Sequence, residues 1–266
     1  LFALTAASVW LIGGPELAVG VLSILLAHEM GHYLAARWYG IDATLPYFIP
    51  FPFPLFSLVG TLGAVIRIRS PFPDRRALFD VGIAGPLAGF VALLPVLALG
   101  ILEAQVAPLD PRPGVLYLGE PLLFQWAGQL VHGSLGPHET LVIGPWGMAA
   151  WFGLLVTGLN LMPIGQLDGG HVVYGLFGRQ LHLQVSRAAS WVCLALLWFG
   201  PQWLMWALLM RVLGRAHPPT WYDAAPVGRG RQLVGALGAL VFVVSFVPDP
   251  IQFSWSEFAT ELLSLL

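Results

Sequence analysis

Apolar runs long enough to cross a bilayer recur along this 266-residue chain, and Gly, Pro and charged positions divide them. A helix needs about 20 mostly apolar residues to span the hydrocarbon core. Residues 1–12 predict the end of one span, Gly13-Gly14-Pro15 a turn, and Leu17 to about Tyr39 a second span. Further spans are predicted at 79–102, 141–162 and 232–247. The stretch 188–213 is apolar but broken by Gly200-Pro201, and a hairpin is favoured there over one kinked crossing.

Between the second span and the next, the pattern changes. Prolines at 46, 50, 52 and 54 forbid a regular helix and favour an extended path. From Ser57 to Ser70 the residues alternate: Val59, Thr61, Gly63, Val65, Arg67 and Arg69 share one parity, and Leu58, Gly60, Leu62, Ala64, Ile66 and Ile68 the other. Alternation predicts strand, and lipid-exposed strand backbone is too costly, so a re-entrant β-loop against protein or a polar cavity is expected. The predicted fold is an all-α polytopic membrane protein of about six transmembrane helices with this β-loop after the second span. It forms one domain over 1–266, with a catalytic core at about 15–175 and accessory helices at about 186–266.

Composition agrees. The chain is 57% hydrophobic and 10% charged, with a mean hydropathy of +0.77, where a soluble domain carries roughly a quarter charged residues. The net charge is −2 and all 12 basic residues are scattered arginines, so a nucleic-acid partner has no support. Cys193 stands alone and is read as packing. The first apolar stretch lacks a basic flank and is not read as a signal peptide. Residues 103–140 are the most polar and are expected to form an amphipathic loop outside the bilayer. Arg37, Arg67, Arg69, Arg75 and Arg76 flank the β-loop against one arginine in 103–140, which puts the β-loop on the cytoplasmic side.

The second span contains His28-Glu29-Met30-Gly31-His32. Two imidazoles at i and i+4 share a helix face and reach one ion, and the neighbouring carboxylate can take a proton from water activated by zinc. Three ionisable side chains in one turn at membrane depth are expensive unless paired or functional. A catalytic zinc site takes three protein ligands, so a third is expected elsewhere. Asp168, between Gly165 and Gly169-Gly170, is favoured over its alternative as a helix cap. His171 is a weaker ligand or supporting donor, and Asp80 is read as a cap. Asn160 reads equally as an oxyanion or substrate donor and as an interhelical hydrogen bond. The β-loop, at Gly60, Thr61, Leu62, Gly63, Ala64 and Val65, either captures an extended peptide by strand addition or plugs the bundle.

HEMGH in one span, AGPLAG in a later one and NLMPIGQLDGG in a third resemble the site-2 protease family over about residues 15–175. The resemblance implies one zinc ion per chain on His28, His32 and Asp168, with Glu29 as acid/base and Asn160 positioning substrate or the oxyanion. It implies regulated cleavage of membrane-spanning proteins, such as anti-sigma factors or membrane-tethered transcription regulators, by a multi-pass protein of the bacterial cytoplasmic membrane. GTLGAVIRIRS and the HPPTWYD segment at 217–223 look like compact bacterial and plastid-type members, and no PDZ-like or CBS-like domain is visible. A zinc transporter, or a membrane-anchored zinc protease acting on soluble-facing segments, are the alternatives. Oligomeric state and natural substrate are not written in the residues.

Overall fold

The computed structural model describes residues 1–53, 57–109, 117–198, 203–204, 207–208, 217–224 and 226–251. The choice between hairpin and kinked crossing at 188–213 lies largely outside them.

Helix α1 (Phe2–Trp38) is interrupted at Gly13 and Gly14, where Gly14 takes a left-handed φ of 80° and Pro15 lacks an N–H to continue the ladder. The expected turn is therefore a break inside one long helical element. Beyond it, Leu17, Val21, Ile24, Leu25, His28, His32 and Ala36 recur at helical spacing and are buried. The metal motif thus continues the stripe that faces the core.

Helix α2 (Arg75–Glu103) begins four residues before the expected start, because the Asp74 carboxylate accepts the Ala77 N–H at 2.9 Å and caps it. Asp80 is not the cap that was expected. It receives Arg231 Nη2 at 2.6 Å and the Tyr39 hydroxyl. α1 and α2 are long and apolar enough to cross a membrane.

The polar stretch after α2 is more ordered than an amphipathic loop. Strand β3 (Gln105–Pro108) pairs antiparallel with β4 (Glu139–Val142), and α3 (Leu122–His132) lies between them in sequence. The span expected from 141 is shortened accordingly, since β4 occupies its start and Pro145 opens α4 (Pro145–Asn160) at a position where no N–H is required. α2 packs along α1, α4 and α5 (Asp168–Phe177). Val21, Leu25, Leu93, Leu97, Trp151 and Leu154 form the centre of the core.

Residues 161–167 turn between α4 and α5. α6 (Arg179–Leu196) braces this turn: Ser186 Oγ accepts the Gly165 N–H at 3.1 Å and His182 Nε2 donates to the Gly165 carbonyl at 2.8 Å. α7 (Gly228–Ser245) returns along α2, α4 and α5.

The β-loop is a two-stranded antiparallel sheet. β1 (Tyr47–Pro50) comes from the proline-rich segment and β2 (Thr61–Val65) from the alternating one, so part of the expected polyproline-like path pairs as strand. Val59, Thr61 and Gly63 are buried, yet from Ala64 onward the even positions turn inward. The phase reverses at Gly63, whose φ of 101° only glycine adopts easily, and the register shifts between Phe48 and Pro50 opposite it.

Candidate metal centre

Helical geometry brings His28 and His32 to the same face, one turn apart, with ring centroids 4.8 Å from each other. α2 closes over them with almost no side chain between. Gly82, Gly85 and Gly89 recur along one face, and their Cα positions abut His171, the His32 ring and His28 respectively. The AGPLAG run packs tightly against the metal motif itself. The same helix orients one imidazole: the Val81 carbonyl lies 2.7 Å from His32 Nδ1. A carbonyl only accepts, so Nδ1 carries a proton, and the neutral ring then has its lone pair on Nε2, the atom facing Asp168.

Asp168 opens α5 but does not cap it; no side-chain capping bond closes that end. Its carboxylate turns inward, with Oδ2 3.2 Å from His28 Nε2 and 3.3 Å from His32 Nε2. The two Nε2 atoms are 3.1 Å apart. Gly169 and Gly170 make this possible, because they abut the backbone of Leu161–Met162 and Ile164–Gly165, where any Cβ would force α5 away. Donors about 2.0–2.2 Å from a tetrahedral zinc ion stand roughly 3.3–3.6 Å from one another. The observed 3.1–3.3 Å lies at and just below the short end of that range, and a small outward shift of the donors admits such an ion. Two imidazoles and a carboxylate are also a usual donor set for catalytic zinc. His28, His32 and Asp168 can therefore hold one metal ion.

Asn160, at the last turn of α4, places Nδ2 3.2 Å from His28 Nε2. Glu29 is buried beside the trio and lines the same cavity of about 250 Å³, with Gln166 and Leu167 on one side and Ala64, Val65 and Ile66 on another. His171 also lines the cavity but is not within the donor group; its ring stands edge-on to His217 at 4.7 Å.

Of the six β-loop positions expected to dock a peptide, Ala64 and Val65 border this cavity. Gly60 is pressed against the backbone of Ser8–Val9, and the Thr61 hydroxyl donates to the Ile49 carbonyl at 2.8 Å. Leu62 is exposed, and Gly63 serves the phase reversal. The edge beside the donors runs from 64 to 68. Its backbone is half used: Arg67 O accepts from Thr44 N at 3.1 Å, and Arg69 N donates to Asp42 O at 2.8 Å. By strand alternation the N–H and C=O of Ile66 and Ile68 point the other way; the Ile66 N–H meets the Glu29 carboxylate, and no strand takes the other groups among the described residues.

Reading by sequence missed the Val81 carbonyl, the glycines beneath the imidazoles, Gln166, and the extension of the edge to Ile68. The 82/85/89 spacing was a usable signal for the glycines, because it marks one helix face.

A buried His-Glu-x-x-His helix joined by a carboxylate from a broken segment defines a mononuclear metallohydrolase type of site. The sequence pattern of peptidase family M50 matches residues 16–200, and the chain belongs to that family. It is 34% identical over 256 residues to the probable zinc metalloprotease EGY1, chloroplastic, of Arabidopsis thaliana, covering 92% of this chain and 44% of that protein. The EGY1 protein of Oryza sativa subsp. japonica is 33% identical over 255 residues, covering 92% and 42%. The probable zinc metalloprotease EGY2, chloroplastic, of Oryza sativa subsp. indica is 34% identical over 179 residues, covering 65% and 31%. The chain thus spans less than half the length of these curated relatives. Their names assign them to chloroplasts and lend no support to the expected bacterial membrane.

Proposed function

We propose that this protein is a zinc-dependent endopeptidase that cleaves membrane-spanning or membrane-proximal segments of protein substrates. The observation that carries the reading is the donor trio itself: three lone-pair groups 3.1–3.3 Å apart, with a buried carboxylate in the same helical turn. The proposed ligands are His28, His32 and Asp168. Zinc held there would supply a Lewis acid that acidifies water and polarises a carbonyl.

Glu29 takes the proton from the attacking water as the oxygen–carbon bond forms. It hands that proton to the departing amide nitrogen as the carbon–nitrogen bond breaks. Asn160 directs an amide donor toward the charge that develops on the carbonyl oxygen. The edge 64–68 holds the substrate extended, which exposes a peptide bond that a helix would shield.

The protein is proposed to cross the membrane about six times, with the site near the arginine-rich face. His32 lies only five residues, about 7.5 Å of helix, before Arg37 in the last turn of α1. Convergence of all three donors on one point favours catalysis over a transport path. A surface-facing protease is disfavoured by the burial of His28, Glu29 and His32 in mid-helix.

The test is Glu29→Gln in the purified, membrane-reconstituted protein. Peptide cleavage should fall by about 10²–10⁴-fold while zinc per chain stays unchanged. Cleavage at the wild-type rate would remove Glu29 from the mechanism.

A further inference from the structure

The cavity at the metal centre does not end at His171. A second cavity of about 400 Å³ adjoins it, and the two share Ile66, Ile68, Gln166 and His171. One groove therefore runs from Glu29, whose carboxylate meets the Ile66 N–H, past Ile66 and Ile68 to the segment His217–Pro219. That segment is fixed in place. Trp221 N donates to Phe72 O at 3.1 Å, Tyr222 N to Pro73 O at 3.0 Å, and Asp223 accepts the hydroxyls of Thr220 at 2.6 Å and Tyr174 at 2.9 Å.

We infer that the far end of this groove is a side-chain subsite for an aromatic residue of an extended substrate, a reading that rests on the peptidase function proposed above.

Its walls are the reason. Ile68, Pro71, Phe72, Pro218 and Pro219 are apolar. Three rings meet there: Phe72 and His171 edge-on at 5.9 Å and 75°, His171 and His217 edge-on at 4.7 Å and 87°, and Phe72 and His217 tilted by 45° at 6.1 Å. A further ring finds both edges and faces there, an arrangement worth about 0.5–1.5 kcal/mol per aromatic pair beyond burial. His217 Nδ1 donates to the Pro218 carbonyl at 2.6 Å, which pins the imidazole, and burial holds that imidazole below its ordinary range, so it remains neutral. A neutral ring offers no positive charge to an acidic side chain. Among the described residues the one cation on the wall, Arg67, is exposed, where a charge pair contributes little. A small aliphatic side chain leaves most of the space unfilled.

The wall edge from 64 to 68 is five residues long, so a strand laid beside it reaches the subsite two to four positions from the cleaved bond. The full chain in detergent, loaded with zinc, is assayed on quenched-fluorophore peptides of Leu and Ala. Phe, Ala or Asp is placed in turn at each of four positions on either side of the cleaved bond. One position should show kcat/KM about tenfold higher for Phe than for Ala, with Asp lowest. Phe72→Ala removes a wall, and Pro219→Trp fills the space from an exposed position. Each should bring the Phe-to-Ala ratio at that position close to one. A flat profile, a preference for Asp, or an unchanged ratio in both variants overturns the subsite while leaving the peptidase reading intact. Cleavage of no peptide by the zinc-loaded protein counts against the peptidase reading and takes the subsite with it.

Discussion

Asp168 is the first residue of α5, one place after the capping position at Leu167, and its carboxylate faces two imidazoles from another helix. Cap and ligand require different directions of the same side chain. Nothing local in the sequence distinguishes them, because both favour an acid after a break. The proposed ligand role makes a prediction at this scale. Asp168→Ala removes one of three donors, so zinc per chain, measured by elemental analysis after dialysis, should fall well below one. Asp168→Asn should fall too, because a neutral amide is a far poorer donor than a carboxylate. Unchanged stoichiometry in both variants would leave the third position to another residue. Glu29 needs no such argument from packing, since the motif itself placed it in the metal-bearing turn. Asn160 was balanced between two readings, and its amide lies 3.2 Å from His28 Nε2, inside the donor cluster.

Among the elements, α1 and α2 carry the centre together. The sequence marks α1 with HEMGH but marks α2 only with small residues, whose purpose depends on what lies opposite. Gly85 lies opposite the His32 ring, so close that any Cβ would overlap it. Gly85→Ala should push His32 from its position, weakening zinc binding about 10–100-fold, the range seen when residues supporting metal ligands are changed. Gly100→Ala serves as the comparison, because its Cα meets Gly147 of α4, away from the metal. That variant should lower thermal stability without changing zinc affinity. A competition titration with a chromophoric chelator separates the two. The β-loop teaches a related lesson. Its alternation was legible from residue 58 to residue 69, yet one glycine with positive φ reverses which parity is buried. Period alone cannot report a phase reversal, and this is why the edge beside the metal centre lies at 64–68.

For the whole molecule, segments far apart in the chain meet through a polar cluster that no local pattern announces. Arg231 of α7 donates through Nε to Asp80 Oδ1 at 2.8 Å and through Nη2 to Oδ2 at 2.6 Å, and also reaches the Tyr39 hydroxyl at 3.1 Å. Both charged side chains are about one-third exposed. This bidentate pair ties α7 to the start of α2 and the end of α1 across 151 residues of sequence. Arg231→Ala should destabilise the protein by about 1–3 kcal/mol, as for other charged hydrogen bonds that lose one partner, and lower the unfolding temperature in detergent. Arg231→Lys should recover only part, because an ammonium cannot make the two-pronged contact. An unaltered unfolding temperature in Arg231→Ala would show that apolar packing alone holds α7.

Much of this protein was determined by sequence alone. Mean hydropathy and run length dictate apolar helices, since each span must bury its backbone polar groups within itself. The i, i+4 spacing dictates the paired imidazoles, since helical geometry leaves them no other relation. Tertiary structure decided what depends on direction and distance between elements. It turned Asp168 inward, laid Gly85 against His32, joined Asp80 to Arg231 and extended the metal cavity to Pro219. Those relations join residues far apart in the chain, and packing, unlike period, leaves no repeat in a single sequence from which they can be read.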